Sequence, residues 1–366
     1  MIANHPHHST ETVMRLPTFR GRGTTVNPAG RFERLTVERD AWTLPEDPAP
    51  KTEFYQDRTR SIVAHNSIPD VGFDVSVNPY RGCEHGCVYC YARPTHEYLG
   101  LSADLDFESK IFVKQAAPEL LSAELSSPRW KPQLLALSGV TDPYQPVERR
   151  MKITRGCLEV IAEFRNPVMV VTKNFRVTRD LDLLVALAAH RAVKVAISVT
   201  TLDPRVQRVM EPRTSIPERR LQAIERLASA GISVAVFVAP VIPGLTDHEI
   251  PAILEAAAEK GAAEASCMPV RLPHGAKDLF VDWLERHFPD RKDKVVNRIL
   301  EMRGGRMNDP NLTSRMRGEG PTAEQLMDLF QVACRKTGLS GPPAELSADA
   351  FKRPGNVIQL GFDLRG

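Results

Sequence analysis

The sequence predicts an α/β protein: a partial six-stranded (β/α)6 barrel of the TIM type, with an extension at each end. Three observations point to it. Between about residue 71 and residue 287, six short apolar runs alternate with stretches of helical spacing. Apolar runs divided by helices imply parallel strands joined by right-handed crossovers, since strands buried on both faces lose the polar alternation of an exposed sheet. The chain has 366 residues, room for one such core and its extensions, and no fixed-period repeat competes with that reading.

The elements follow in order. Residues 1 to 50, rich in His, Pro, Arg and Gly, read as an irregular basic arm ending in a linker at Pro45 to Pro50. Residues 51 to 290 form the core domain. Its first strand is Val71 to Val77, and a cysteine-rich loop runs from it into a short helix ending near Leu99-Gly100. An inserted strand, Lys110 to Val113, and a helix, Pro118 to Leu125, come next and are expected at the periphery. Leu134 to Leu137 is the second core strand, followed by one helix from about Val147 to Phe164. The third strand is Val168 to Thr172, and its helix opens at Thr178-Arg179-Asp180. Val193 to Val199 is the fourth, followed by a helix with Ser215 as cap, Pro217 in the first turn and Gly231 beyond its end. Ile232 to Val238 is the fifth, and Thr246 to Glu249 has the form of a capping box. The sixth is Ala265 to Val270, with a helix near Asp278 to His287. Residues 291 to 366 form a basic extension with a helix at Glu324 to Lys336 and a short strand at Asn356 to Leu360.

Composition narrows the class. Charged residues at 25% and hydrophobic ones at 42% are ordinary for a globular protein, and a net charge of +3 permits contact with nucleic acid without arguing for it. No apolar run reaches the roughly 18 residues of a membrane span, and the N-terminus lacks the pattern of a signal peptide. A cytoplasmic location with reduced thiols is expected, because six cysteines are too few for a disulfide scaffold. From Arg291 to Arg317 there are eight Lys or Arg against three Asp or Glu, a stretch suited to phosphates or simply to solvent.

Half of the cysteines lie in one place: Cys83, Cys87 and Cys90, spaced three residues and then two, inside Asn78-Pro79-Tyr80-Arg81-Gly82-Cys83-Glu84-His85-Gly86-Cys87-Val88-Tyr89-Cys90-Tyr91-Ala92-Arg93. A short loop can aim three thiolates at one metal centre. A four-iron cubane held by three thiolates keeps one iron open. A structural zinc would want a fourth protein ligand, for which only His85 and His96 are near, one inside the tight turn and one just past a proline. Three buried thiols without a metal are the remaining reading.

With an aromatic residue, Tyr89, before the last cysteine, this motif resembles the signature of the radical S-adenosylmethionine (SAM) superfamily. Asn78-Pro79-Tyr80 and Cys90-Tyr91-Ala92-Arg93 are similar, more narrowly, to the branch containing spore photoproduct lyase. The resemblance in the order of elements extends over about residues 70 to 270. It implies a [4Fe-4S] cluster on Cys83, Cys87 and Cys90, SAM on the open iron, reductive cleavage to a 5'-deoxyadenosyl radical, and a low-potential electron donor such as flavodoxin or ferredoxin. The substrate is unidentified, with nucleic acid one candidate. The competing expectation is a non-catalytic nucleic-acid-binding protein stabilised by zinc or by a cluster.

In parallel β/α barrels the chemistry gathers at the carboxyl ends of the strands. Thr141 and Asp142 after strand two, Lys173 after strand three, Ser198 in strand four, Arg213 in the next loop and Ile242 after strand five are therefore the candidates around SAM. Lys173 and Arg213 suit its carboxylate, Ile242 and the backbone of Tyr89 its adenine, and the resemblance carries a SAM contact to Ser198. It also matches Tyr89 and Tyr91 to tyrosines that assist hydrogen return in the lyase. Gly139 stands where the lyase has its hydrogen-donating cysteine, and Cys267 at the end of strand six is the candidate substitute or else, like Cys157 and Cys334, a buried apolar-like cysteine.

Overall fold

The computed structural model describes residues 21–24, 51–68, 70–342 and 344–354. The arm, apart from residues 21–24, and the strand expected at Asn356 to Leu360 lie outside the described residues. The strands are β1 (Glu53–Gln56), β2 (Val63–His65), β3 (Val75–Val77), β4 (Tyr80–Arg81), β5 (Lys110–Val113), β6 (Leu135–Leu137), β7 (Val168–Thr172), β8 (Val193–Ser198), β9 (Ser233–Val241) and β10 (Glu264–Pro269). The helices are α1 (Leu105–Ser109), α2 (Ala117–Ser126), α3 (Glu148–Met151), α4 (Ile153–Phe164), α5 (Leu181–Ala188), α6 (Pro204–Met210), α7 (Pro217–Ser229), α8 (Ile250–Glu259), α9 (Ala276–His287), α10 (Pro289–Met302) and α11 (Pro321–Thr337).

Six strands run parallel in the order β3, β6, β7, β8, β9, β10, and β2 pairs antiparallel on the outer edge of β3. These are the six core strands expected from the sequence. Their helix-facing residues, among them Val168, Val170, Val195, Ile197, Val234 and Val236, form one core with Leu158, Ile161, Leu187, Leu227 and Leu254 of the covering helices. By strand alternation Lys173 continues the opposite face of β7, and Ser198 lies on the opposite face of β8. The inserted β5 belongs to a separate sheet of three strands, between β1 and β4. Among the described residues no helix is long and apolar enough to cross a membrane.

Several boundaries differ from the sequence expectation, each for a tertiary reason. The helix expected over residues 147 to 164 breaks at Lys152, which is left-handed with φ of 55°. Across the break the Glu148 carboxylate accepts the free N–H groups of Thr154 and Arg155 and so caps α4. Thr178 caps nothing: residues Phe175–Asp180 form a 3-10 turn capped by Asn174, which accepts from the Arg176 N–H. Ser215 is likewise spent elsewhere, accepting from the Phe175 N–H at 2.8 Å, and α7 starts without a side-chain cap. In the expected capping box Thr246 accepts from the Ile242 N–H, while Glu249 reaches across to the Thr201 hydroxyl and the Leu202 N–H. Helix α6, capped by Asp203, was not expected at all.

The cysteine loop is clamped from behind. Arg93 is fully buried and donates through Nε and Nη2 to the Cys87 carbonyl at 3.0 and 2.9 Å and through Nη1 to the carbonyls of Ala103 and Asp104. Its charge is met by the equally buried Glu108 of α1, whose other oxygen accepts from the Gly23 N–H at 2.9 Å. Gly23 and Gly86 cross so closely that a Cβ on Gly23 would lie 1.9 Å from the Gly86 carbonyl oxygen.

Removing one partner of a buried ion pair leaves the other charge uncompensated, a loss of about 3 to 5 kcal/mol. Arg93→Met is therefore expected to lower the unfolding free energy measured by urea denaturation by that amount, with the double variant Arg93→Met/Glu108→Leu less affected than the single one. A single variant as stable as the parent would show that the clamp does not hold the loop.

Candidate active site at the cysteine loop

Two glycines shape the loop. Gly82 and Gly86 have φ of 79° and 65°, a region L side chains rarely adopt. A Cβ on Gly86 would also lie 2.7 Å from a Glu108 carboxylate oxygen. The loop backbone is held by the Cys83 N–H donating to the Phe107 carbonyl at 2.9 Å and, past Gly86, the Cys90 N–H to the Cys87 carbonyl at 3.2 Å.

The three thiols face a common space. Cys83 packs in one apolar group with Ala92 and Phe107, Cys87 in another with Val88 and Ile242, and Cys90 packs against both. Burial raises the Cys83 and Cys87 thiols, and Cys90 acts electrostatically on each of them. Lys173 opposes the rise at Cys87, and Arg93 opposes it at Cys90. Among the described residues no three His, Cys, Asp or Glu side chains close on a single ion. A four-iron cubane has the larger footprint that such a set fits, because each thiolate takes its own iron. A fourth protein ligand for zinc is wanting: His85 is engaged by Asp142 at 3.4 Å and Asn174 at 3.2 Å, and His96 bonds the Lys110 carbonyl between Phe107 and Phe112.

Four of the candidate residues lie around this space. Lys173 extends over the Tyr89 ring, 5.7 Å from its centroid, and donates to the Ala239 carbonyl at 3.0 Å. Burial lowers its pKa to about 8, although Cys87 and Asp142 act in the opposite direction. Ile242 is fully buried in the same apolar group as Cys87 and Tyr89. Ser198 is buried at the end of β8, and its carbonyl accepts from Arg220.

Asp142 is oriented by the protein itself. It accepts from the Thr172 hydroxyl at 2.7 Å and from the N–H groups of Lys173 and Tyr144, both at 2.8 Å. Burial alone would raise its carboxyl, but His85 and these donors hold it below the ordinary carboxylate value. Thr141 bonds the Tyr80 carbonyl and ties the loop after β6 to β4. Tyr91 is half exposed, and its hydroxyl donates to the Gly139 carbonyl at 2.8 Å.

Two candidates are placed elsewhere. Arg213 turns to the outer side of the loop, where it pairs with Glu84 at 3.0 Å and bonds Thr52. Cys267 corrects the expectation of a thiol at the mouth. With Ala265 it packs on the helix-facing core and is in register with Val238, and its thiol senses Cys334 of α11. The strand carries residue 267 to its outer face, away from the cysteine loop.

The centre of the site is a residue the sequence reading passed over. Glu211 is fully buried, accepts from the Tyr89 hydroxyl, pairs with Arg220 and lies 3.5 Å from the Lys173 ammonium. Burial raises its carboxyl even though Arg220 opposes the shift. A signal was present: Arg220 falls on the stripe of α7 made by Pro217, Ala223, Ile224 and Leu227, all buried. A cation on an apolar stripe needs a buried anion.

Known proteins can now be set beside this geometry. The sequence profile of the Radical SAM superfamily matches residues 77–257. The uncharacterized protein Rv2578c of Mycobacterium tuberculosis is 36% identical over 244 residues, 65% of this chain and 71% of that one. The radical SAM Nalpha-GlyT isomerase of Pseudomonas phage M6 is 22% identical over 70% of this chain and 52% of its own length. Among solved structures, a tyrosine mutant of spore photoproduct lyase superposes with a TM-score of 0.53 at 16% identity, covering 80% of this chain and 82% of that one, a likeness of fold. The chain belongs to the radical SAM superfamily, with the fold of spore photoproduct lyase.

Proposed function

We propose that this protein is a radical SAM enzyme in which Cys83, Cys87 and Cys90 hold a [4Fe-4S] cluster and SAM binds against Lys173, Ser198, Ile242 and the Tyr89 backbone. The observation that carries this reading is the packing of three thiols of one loop in adjoining apolar groups beside a buried lysine, with no fourth protein ligand among the described residues. When bound and reduced, the cluster supplies the electron that splits SAM into methionine and a 5'-deoxyadenosyl radical, which takes a hydrogen atom from the substrate.

The chain's own part is to bind, orient and exclude water. Lys173 meets the carboxylate of SAM in a setting of low dielectric, where an ion pair is stronger than in water. Glu211 and the Ala239 carbonyl fix the lysine's position before SAM arrives, and the Glu211 contact to Tyr89 fixes the ring beside the adenine contact. Arg213, paired with Glu84 on the outer side, is not part of this SAM site as proposed.

Nucleic acid is the substrate class we favour on the fold likeness, since one of the solved lyases is complexed with a dinucleoside spore photoproduct. Repair by thiol return is a poor fit to Gly139, where a Cβ would come within 3.0 Å of Ser76. The basic C-terminal stretch adds little support, because Arg298 pairs with Asp247, Arg315 with Asp70, Lys292 with Glu285, and Arg303 bonds backbone carbonyls.

Anaerobically reconstituted protein is expected to hold four irons and four sulfides, to show a reduced-cluster EPR signal that SAM shifts, and to release 5'-deoxyadenosine. Each of Cys83→Ala, Cys87→Ala and Cys90→Ala should abolish the SAM-responsive signal, and stoichiometric zinc without iron would refute the reading. Lys173→Met should keep the iron content but weaken SAM binding by about tenfold or more, because a buried charged hydrogen bond is lost. Unchanged SAM affinity would remove Lys173 from the site.

A further inference from the structure

An open cavity of about 570 Å³ lies behind the cysteine loop, on the side to which Arg213 turns. Glu84, which follows the first cysteine, forms part of its wall, and β1 with Thr52, helix α3 with the residues before it, and the segments after β7 and α6 supply the rest. Four guanidinium groups line it, those of Arg149, Arg150, Arg176 and Arg213. Glu84 is the one lining carboxylate, and Arg213 already pairs with it.

The other three cations have no carboxylate partner among the described residues. Arg150 is placed over the Phe54 ring at 4.7 Å, which orients the guanidinium without neutralising it. Arg176 has a buried Nε that meets no acceptor. Burial, and then the charges of Arg179 and Arg149, hold Arg176 below the ordinary arginine value, although Glu148 acts the other way. A buried donor without a partner is destabilising, and gathering like charges adds to that cost. Such an arrangement is stabilised by an anion.

The geometry points to a binding site for a phosphate group, built from Arg149, Arg150 and Arg176 with the Arg213–Glu84 pair as its inner wall. Three uncompensated cations suit an anion of two or more charges better than a single carboxylate. Planar guanidinium forks brought to one cavity from α3 and from the turn after β7 suit a tetrahedral oxyanion with several acceptor oxygens. Thr52 already accepts from Arg22 and Arg213, so its own hydroxyl proton remains to be donated inward. This site does not depend on the radical reading, because every lining residue belongs to the chain and binding requires neither cluster nor SAM.

Pyrophosphate is the probe, titrated calorimetrically into the reconstituted full-length protein without SAM. Saturable binding that weakens with added salt is expected, with Arg176→Gln and Arg149→Gln each reducing affinity about tenfold. Arg149 is exposed, so its variant tests the site even if Arg176→Gln fails to fold. Arg205→Gln, on an exposed α6 side chain that does not line the cavity, should bind as the parent does. Displacement of pyrophosphate by a short single-stranded oligonucleotide would assign the phosphate to nucleic acid, and retention would assign it to a small molecule. Failure of the parent to bind pyrophosphate, or equal binding by the parent and the Arg149 and Arg176 variants, would overturn the proposal.

Discussion

The site depends on one buried ion pair. A loop that aims three thiols at one centre must turn its own carbonyls outward, and an apolar surround offers them no donors. Arg93 meets this need by donating two hydrogen bonds to the Cys87 carbonyl, and Glu108 keeps the guanidinium from being an unpaired buried charge. The same carboxylate also receives the Gly23 N–H. Residues far apart in sequence, 23, 87, 93 and 108, are thus fixed together, and the loop's shape comes from α1 as much as from its own glycines.

A second buried carboxylate organises the opposite side. Glu211 joins Tyr89 from the cysteine loop, Arg220 from α7 and Lys173 from the end of β7. Arg220 in turn bonds the carbonyls of Ser198 and Ser215. A network so fully satisfied is rigid, because moving one member strands another in a medium that cannot solvate it. The strand ends after β7 and β8 are held in one arrangement relative to the cysteine loop, which is the preorganisation that a site handling a reactive radical requires.

The sequence made some of this legible and hid the rest, for physical reasons. The bounds of β7 match Val168 to Thr172, because a strand buried under helices leaves a continuous apolar run between polar ends. The cysteine triad was legible because its spacing is rare and its chemistry local. Helix starts were misread at Thr178, which falls inside a 3-10 turn capped by Asn174, and at Ser215 and Thr246, whose hydroxyls accept from backbone N–H groups of neighbouring loops. Local pattern cannot tell which acceptor wins when both are within reach. Cys267 was misplaced because one residue along a strand exchanges its faces, and the register follows from pairing with β9. The ion pairs of Arg93 and Arg220 span 15 and 9 residues, beyond any helical or strand period, so they showed only as charges in apolar company.

The thiols of the cysteine loop also depend on charge supplied from within the core. Burial favours the neutral thiol at Cys83, Cys87 and Cys90, so thiolates capable of binding iron need cations nearby. Lys173 and Arg93 provide them from within the core, and the Arg213 N–H, donating to the His85 carbonyl, ties the loop to the wall of the outer cavity.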